Sequence, residues 1–408
     1  MRDLIRQYGG LPRPVYILFV SKIVDATGCF IWPLLALILT RKIGLSSAQA
    51  GIAVGVTMAG SALAPFLGGK LADVIGRKPA IALFTGLAVC SYFICGLIPP
   101  SLVMLAFVIL GVTCLAAASP AHDALVADLV APERRQTAYG LLYLGWNIGF
   151  AAGPAIGGFL LEDHLGLMFI GDAATALAAL IMVMLFVREP RRETTKNAAP
   201  AGAEAEEKGS IFAVLSQRPI LLLLGFILFG YSIAYAQWGF LLPLQLSEVF
   251  SEAGSRIYGL VAGVNGLTVI IFNPMFTLLF RRTPLPRVIF LGGLFYAIGF
   301  GLMGFATNQP LFFLLGFVFT LGEVACAIST MPFIMARTPS SHRGRMGGVA
   351  QLLSTSGGVI GPIVFGAAIE AISIKAAWII IGFTALAFSA VALMLERMDA
   401  RSRRIGGM

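Results

Sequence analysis

Apolar residues along this chain do not alternate with polar ones; they run on. Twelve stretches of membrane-spanning length follow one another, near 14–40, 49–72, 79–98, 102–124, 138–161 and 167–187, then near 219–246, 257–280, 287–306, 311–336, 345–369 and 376–395. A helix needs about 20 predominantly apolar residues to cross a bilayer. Membrane barrel strands would instead show segments of about ten residues with alternating polarity. The pattern predicts an all-α integral membrane protein of twelve transmembrane helices. The first stretch is too long for a signal-peptide core and is expected to remain as a spanning helix. The one long polar interruption, residues 188–218, carries REPRRETTKNAAPAGAEAEEKG. It has little to bury and reads as a flexible linker. The expected organisation is an N-terminal six-helix bundle over 1–187, a linker over 188–218, and a C-terminal six-helix bundle with a short basic tail over 219–408. A soluble catalytic domain has no room. Residues 1–13 form a basic lead in which Leu4, Ile5 and Tyr8 share one side of an interfacial helix.

The two halves repeat a phrase. Residues 140–158 read GLLYLGWNIGFAAGPAIGG and residues 348–366 read GVAQLLSTSGGVIGPIVFG. Gly140, Gly149, Gly153, Pro154 and Gly158 recur as Gly348, Gly357, Gly361, Pro362 and Gly366. On a helix Gly149, Gly153 and Gly157 form one smooth stripe at i, i+4 and i+8, against which another helix backbone can lie closely. Pro154 removes a backbone donor, so a bend is expected beside it. A glycine helix at the same place in each half marks a duplication, hence two pseudo-symmetric bundles.

Composition agrees: 58% of residues are hydrophobic and 12% charged, far outside the soluble range. The net charge of +9 loses its nucleic-acid meaning once mapped onto the spans. Of 29 Lys and Arg, 24 fall on one side of the twelve spans, only Arg41, Lys42, Arg256 and Lys375 on the other, and Lys22 within a span. That asymmetry is the positive-inside pattern. It predicts cytoplasmic termini and linker in a multi-pass plasma-membrane protein, in bacteria the inner membrane, with no nucleic-acid partner. The five cysteines all lie within spans, as small packing residues. His122, His164 and His342 are scattered, so no metal site, no cofactor and no enzyme chemistry is expected. A Walker-type phosphate loop is absent, which speaks against direct coupling to ATP.

A second motif, GKLADVIGRK over 69–78, lies between spans 2 and 3. Gly76 suits a tight turn, Asp73 ends a helix at the membrane face, and Arg77 and Lys78 stay on the basic side. With these residues the chain resembles the major facilitator superfamily and, more narrowly, its twelve-span drug:proton antiporters. Gly69, Asp73, Gly76, Arg77 and Lys78 match the signature of the loop between helices 2 and 3. Gly140, Gly149, Gly153, Pro154, Gly157 and Gly158 match the antiporter signature of helix 5. The resemblance covers all twelve spans. It departs in two places. Gly111 is preceded four residues earlier by Phe107 where such antiporters often carry an arginine linked to proton transfer. The loop between spans 8 and 9, FRRTPLPR, lacks the Asp and Gly of its counterpart. Asp73 is expected to face the start of span 11 near Arg343 and Arg345, and Arg77 to pair with Asp128 beyond span 4, forming a cytoplasmic gate.

Ionisable groups inside a membrane are costly and mark function by default. Glu323 lies near the middle of span 10 with no charged neighbour in sequence, against the plain alternative of a protonated acid in one structural hydrogen bond. Asp25 lies near the middle of span 1 with Lys22 one helical turn earlier, where the two can simply neutralise each other. The resemblance implies that spans 1, 4, 7 and 10 line the central cavity. Glu323 and Asp25 are therefore the candidate proton-coupling residues. Poor hydration favours the neutral acid, so a carboxyl there can load and release a proton. His122 and Asp123, late in span 4 near the cytoplasmic face, read as exposed to headgroups or salt-bridged to loop arginines, and Asp172, near the outer end of span 6, as interfacial. Further cavity candidates are Lys22, Trp146, Asn147, Tyr235, Gln237, Trp238, Asn265, Asn273 and Gln351, a polar and aromatic set suited to an amphipathic molecule.

The expected function is secondary transport: proton-coupled efflux of a small amphipathic organic substrate by alternating access, with protons and the lipid bilayer as its other partners and a monomer as the working unit. The alternative keeps the fold and carries a lipid such as a lysophospholipid, or a native metabolite. An intramembrane enzyme or a channel fits less well.

Overall fold

The structure is a computed structural model that describes residues 8–189, 219–338 and 343–405, and side chains throughout these except at 343–348, 350, 351 and 400–405. The expected interfacial face of Leu4 and Ile5, most of the linker, and the side chains of Arg343, Arg345 and Gln351 lie outside what is described.

Among the described residues, eleven helical segments are long and apolar enough to cross a membrane: Arg13–Lys42, Ser47–Ile75, Arg77–Leu97, Leu102–Leu129, Pro132–Asp163, Leu165–Phe186, Pro219–Phe250, Ala253–Leu279, Leu285–Phe305, Gln309–Ala336 and Ile374–Asp399. The helix Arg343–Ala368, with its shorter apolar part Leu352–Ala368, is the twelfth. These are the twelve expected spans, each displaced by a few residues at its ends. Span 4 runs on to Leu129, past the expected end at 124, because Leu125–Leu129 (LVADL) contains no helix breaker. Asp128 thus sits in the last turn of a helix rather than beyond it.

Three spans are broken, each upstream of a proline. Span 1 comprises α1 (Arg13–Thr27) and α2 (Ile31–Leu37), the latter continuing through a π turn. Continuing in the same order, span 5 comprises α6 (Arg135–Phe150) and α7 (Gly153–Asp163), and span 7 comprises α9 (Pro219–Gly239) and α10 (Leu241–Phe250). A proline ring collides with the carbonyl four residues earlier and offers that carbonyl no donor. Those positions are Cys29 for Pro33, Phe150 for Pro154 and Gly239 for Pro243, at or beside the three breaks. Pro65, Pro120, Pro274, Pro332 and Pro362 stay inside continuous helices. The bend expected at Pro154 is therefore a full interruption, whereas its repeat at Pro362 leaves the helix whole.

By Cα proximity the chain forms two compact units, Met1–Arg191 with Gly239–Ile270, and Arg192–Trp238 with Ile271–Met408. In the first unit the glycine stripe of span 5 lies on span 1. A Cβ at Gly149 would fall on the Ile23 carbonyl oxygen, one at Gly153 within 2.7 Å of the Ala26 oxygen, and one at Gly157 within 3.0 Å of the Phe30 Cβ. The second unit repeats this contact. Gly357 lies against Phe229 and Ser232, and a Cβ at Gly361 would come within 2.7 Å of the Gln237 Nε2. The shared phrase thus encodes a shared packing of span 5 on span 1 and of span 11 on span 7.

A different face of the glycine helix carries the first part of Ala253–Leu279. Gly158 would meet the Ser255 carbonyl and Gly259 the Pro154 carbonyl if either bore a Cβ. The Ser255 hydroxyl donates to the Gly158 carbonyl at 2.9 Å. Nearby, Glu162 accepts from Arg41 at 2.7 Å and from Lys42 at 3.3 Å, and Arg41 also reaches the Ser251 carbonyl at 3.2 Å.

Candidate functional site

The break in span 1 positions the site. Thr27 ends α1 with its hydroxyl bonded back to the Ile23 carbonyl at 2.8 Å, and Phe30 and Ile31 begin the next helix with no helical carbonyls behind them. Asp172, on α8 (Leu165–Phe186), supplies the missing acceptor. One carboxylate oxygen takes both the Phe30 and the Ile31 amides at 3.2 Å. Gly28 leaves room for Thr175 and Gly171 for the Phe30 ring, so the loop 28–30 is seated on one face of α8. Asp172 is buried rather than interfacial. A carboxylate at the start of a helix satisfies donors that the helix leaves orphaned, and in a lipid-spanning segment such donors have no water to turn to.

Around this break residues of the first unit line a cavity of about 480 Å³, within the range of small-molecule sites. Its ionisable lining is Lys22, Asp25, His122, Asp123 and Asp172; its aromatic lining is Trp32, Tyr92, Tyr139, Tyr143 and Trp146. The Lys22 ammonium is 3.4 Å from the Asp25 carboxylate and lies over the Trp146 ring, 4.9 Å from its centroid. The Tyr139 hydroxyl donates to the Asp123 carbonyl at 2.9 Å, tying span 5 to span 4. Lys22 and Asp25 share this cavity with His122 and Asp123, which thus both line it.

Of the residues proposed from sequence, Lys22, Asp25 and Trp146 line this cavity together. Asn147 is buried beside it, with its amide donating to the Tyr143 carbonyl at 2.8 Å. In the second unit Gln237 is wholly buried and bonds back to the Ile233 carbonyl at 3.1 Å. Trp238 is buried against Phe319, with ring centroids 5.3 Å apart. Tyr235 lies 6.0 Å from the Tyr296 ring. Asn265 is buried in the part of span 8 that belongs to the first unit, and Asn273 accepts a bond from Thr277 through its backbone. Glu323 is half-buried on the span 10 helix, within electrostatic reach of Tyr296 and Cys326. Asp25 and Glu323 therefore stand in different units.

The loop motif folds tightly around Gly76, whose φ of +104° joins the helices Ser47–Ile75 and Arg77–Leu97 in a conformation open to glycine. Arg77 reaches Asp73 at 3.1 Å and Asp128 at 3.3 Å. Glu189, at the end of span 6, accepts from the Arg77 amide at 2.7 Å and the Lys78 amide at 2.8 Å, capping the helix that begins there. Nothing in the 69–78 string announces Glu189, since its partners are backbone amides more than a hundred residues away in sequence. All five cysteines are free thiols, and among the described residues no three His, Cys, Asp or Glu are grouped to hold a metal ion.

Comparison with known proteins agrees with this architecture. The profile of the Major Facilitator Superfamily matches residues 17–284 and again 227–407. The chain belongs to the Major Facilitator Superfamily, and it is a transporter of that class rather than an enzyme. It is 27% identical to the class D tetracycline resistance protein of Salmonella ordonez over 86% of this chain and 89% of that one. It is 23% identical to a Na(+), Li(+), K(+)/H(+) antiporter of Planococcus maritimus over 82% and 84%. Among solved structures, the peptide transporter POT in complex with sulfate superposes with a TM-score of 0.79 at 17% identity, covering 96% of each chain, which is a likeness of fold.

Proposed function

We propose that this protein exports amphipathic organic compounds in exchange for protons by alternating access. The observation that carries the reading is the cavity of the first unit, where Lys22, Asp25, His122 and Asp123 share one aromatic-walled space inside the membrane-spanning region. Charged groups there are expensive unless they bind something charged, and aromatic faces suit a lipophilic body. Relatives named for tetracycline resistance and for cation/proton antiport support the same direction. Glu323 carries the coupled proton, and Asp25 is the substrate's charge partner or a second titrating group. Protein reconstituted into vesicles under an imposed pH gradient is expected to show proton flux that starts on adding substrate. Substrate movement with no accompanying proton flux would defeat the coupling and favour lipid or metabolite transport on the same fold.

Both termini and the linker face the cytoplasm, on the basis of the cation asymmetry. A cysteine introduced at Ala203 in a cysteine-free background is expected to resist membrane-impermeant thiol reagents in intact cells. Labelling from outside would reverse the orientation.

The Asp73, Arg77 and Asp128 cluster is the cytoplasmic gate. Asp73→Asn removes one of the two carboxylates holding Arg77 and is expected to shift the resting population toward inward-open without loss of expression. Electron–electron double resonance distances across the cytoplasmic helix ends check this; unchanged distributions would dismiss the gate.

A further inference from the structure

Lys22 and Asp25 form an ion pair within the cavity. Lys22 occupies the position an organic cation would take, beside a carboxylate and over an indole face. Cations are held at such places by Coulomb attraction and by the ring quadrupole together. The same cavity is lined by a second carboxylate, Asp123. Asp172 is already committed to the amides of Phe30 and Ile31. Leaving Asp172 aside, the lining has two carboxylates, Asp25 and Asp123, for one fixed cation, with His122 as the other basic group.

We infer that Lys22 is a tethered competitor that sets the charge specificity of the cavity: it fills the cation place formed by Asp25 and Trp146 until an amphipathic organic cation displaces its ammonium toward Asp123. The charge count closes only with a cation bound. With the cavity empty, Lys22 neutralises Asp25 and Asp123 is left over. With it occupied, the incoming cation neutralises Asp25 while Lys22 pairs with Asp123. Lys22 is a flexible four-carbon arm, and it lines the cavity together with Asp123. A neutral molecule cannot offer the exchange, and an anion would have to approach a site with an excess of carboxylates. This inference rests on the transport reading for the identity of the site, and it adds the sign of the substrate's charge and the residue that discriminates it.

The test uses two ions of nearly equal shape and opposite charge, tetraphenylphosphonium and tetraphenylborate, titrated into the purified full-length protein in nanodiscs. Lys22→Gln is expected to bind tetraphenylphosphonium about tenfold more tightly than wild type, since the internal ion pair and cation–π contact no longer compete. Lys22→Arg, which keeps the charge, is expected to stay close to wild type. In an Asp25→Asn background the gain from Lys22→Gln should vanish, and that coupling would not arise from a merely structural lysine. Unchanged or weaker tetraphenylphosphonium binding by a monodisperse Lys22→Gln protein overturns the inference. So does wild-type preference for tetraphenylborate that Lys22→Gln abolishes, for Lys22 would then be an anion anchor. Either result leaves the transport reading standing, because that reading is decided by proton flux and not by probe binding.

Discussion

Glu323→Gln is expected to abolish uphill, pH-driven transport while leaving downhill exchange of substrate intact. The amide keeps the shape of the side chain and one hydrogen-bonding oxygen, but it cannot take up or release a proton. Glu323 lies in the middle of the helix Gln309–Ala336, between buried Gly322 and Val324. Its surroundings include the phenol of Tyr296 and the thiol of Cys326, groups that stay neutral far more readily than a carboxyl. Asp25, by contrast, already has a charge partner, the Lys22 ammonium at 3.4 Å. If coupling runs through Glu323, vesicles containing the Gln variant should build no substrate gradient above protein-free vesicles under a pH gradient, yet should still equilibrate labelled substrate. A variant that concentrates substrate at the wild-type rate would make Glu323 structural and move the coupling to the Lys22, Asp25 and His122 group.

The spans were legible because crossing a bilayer demands a run of apolar residues that little else in a chain requires. The stripe of Gly149, Gly153 and Gly157 was legible as a helix contact because close approach needs the Cβ to be missing. Its partner, span 1, was not named by the stripe, since neighbours of a helix are chosen by the whole bundle. The same limit explains Asp172. Nothing around it in GDAATA says that amides on another span will call for an acceptor, for the need arises at Phe30 and Ile31, where the helix restarts after the break ahead of Pro33. Lys22, Asp25 and Trp146 could be picked out singly as costly or amphipathic residues. That the indole lies under the ammonium is a fact of tertiary packing. Gln237 and Asn147 show the reverse case. Each is polar within a span, yet each donates its side-chain amide to the carbonyl four residues back, a partner that every helix provides.

Asp172 is the residue on which a transport role and a structural role make opposite predictions. It lines the cavity and is ionisable, so it could pass for a coupling group. Its carboxylate oxygen, however, serves the amides of both Phe30 and Ile31. The Phe30 amide also reaches the Gly28 carbonyl at 2.7 Å, whereas Ile31 has Asp172 as the acceptor the structure gives it. As a cap, Asp172 needs only an oxygen at that place. Asp172→Asn keeps one and is expected to retain both the fold and wild-type pH-driven transport. Asp172→Ala leaves a buried amide without its acceptor, at a cost of about 1–3 kcal/mol, and loosens the seat of the loop that carries Cys29 and Trp32 to the cavity. It is expected to lower the melting temperature in detergent, with transport falling in proportion to the folded protein recovered. If Asp172→Asn instead folds normally and loses pH-driven transport, the carboxyl acts by titrating, and the cavity of the first unit then carries the proton as well as the substrate.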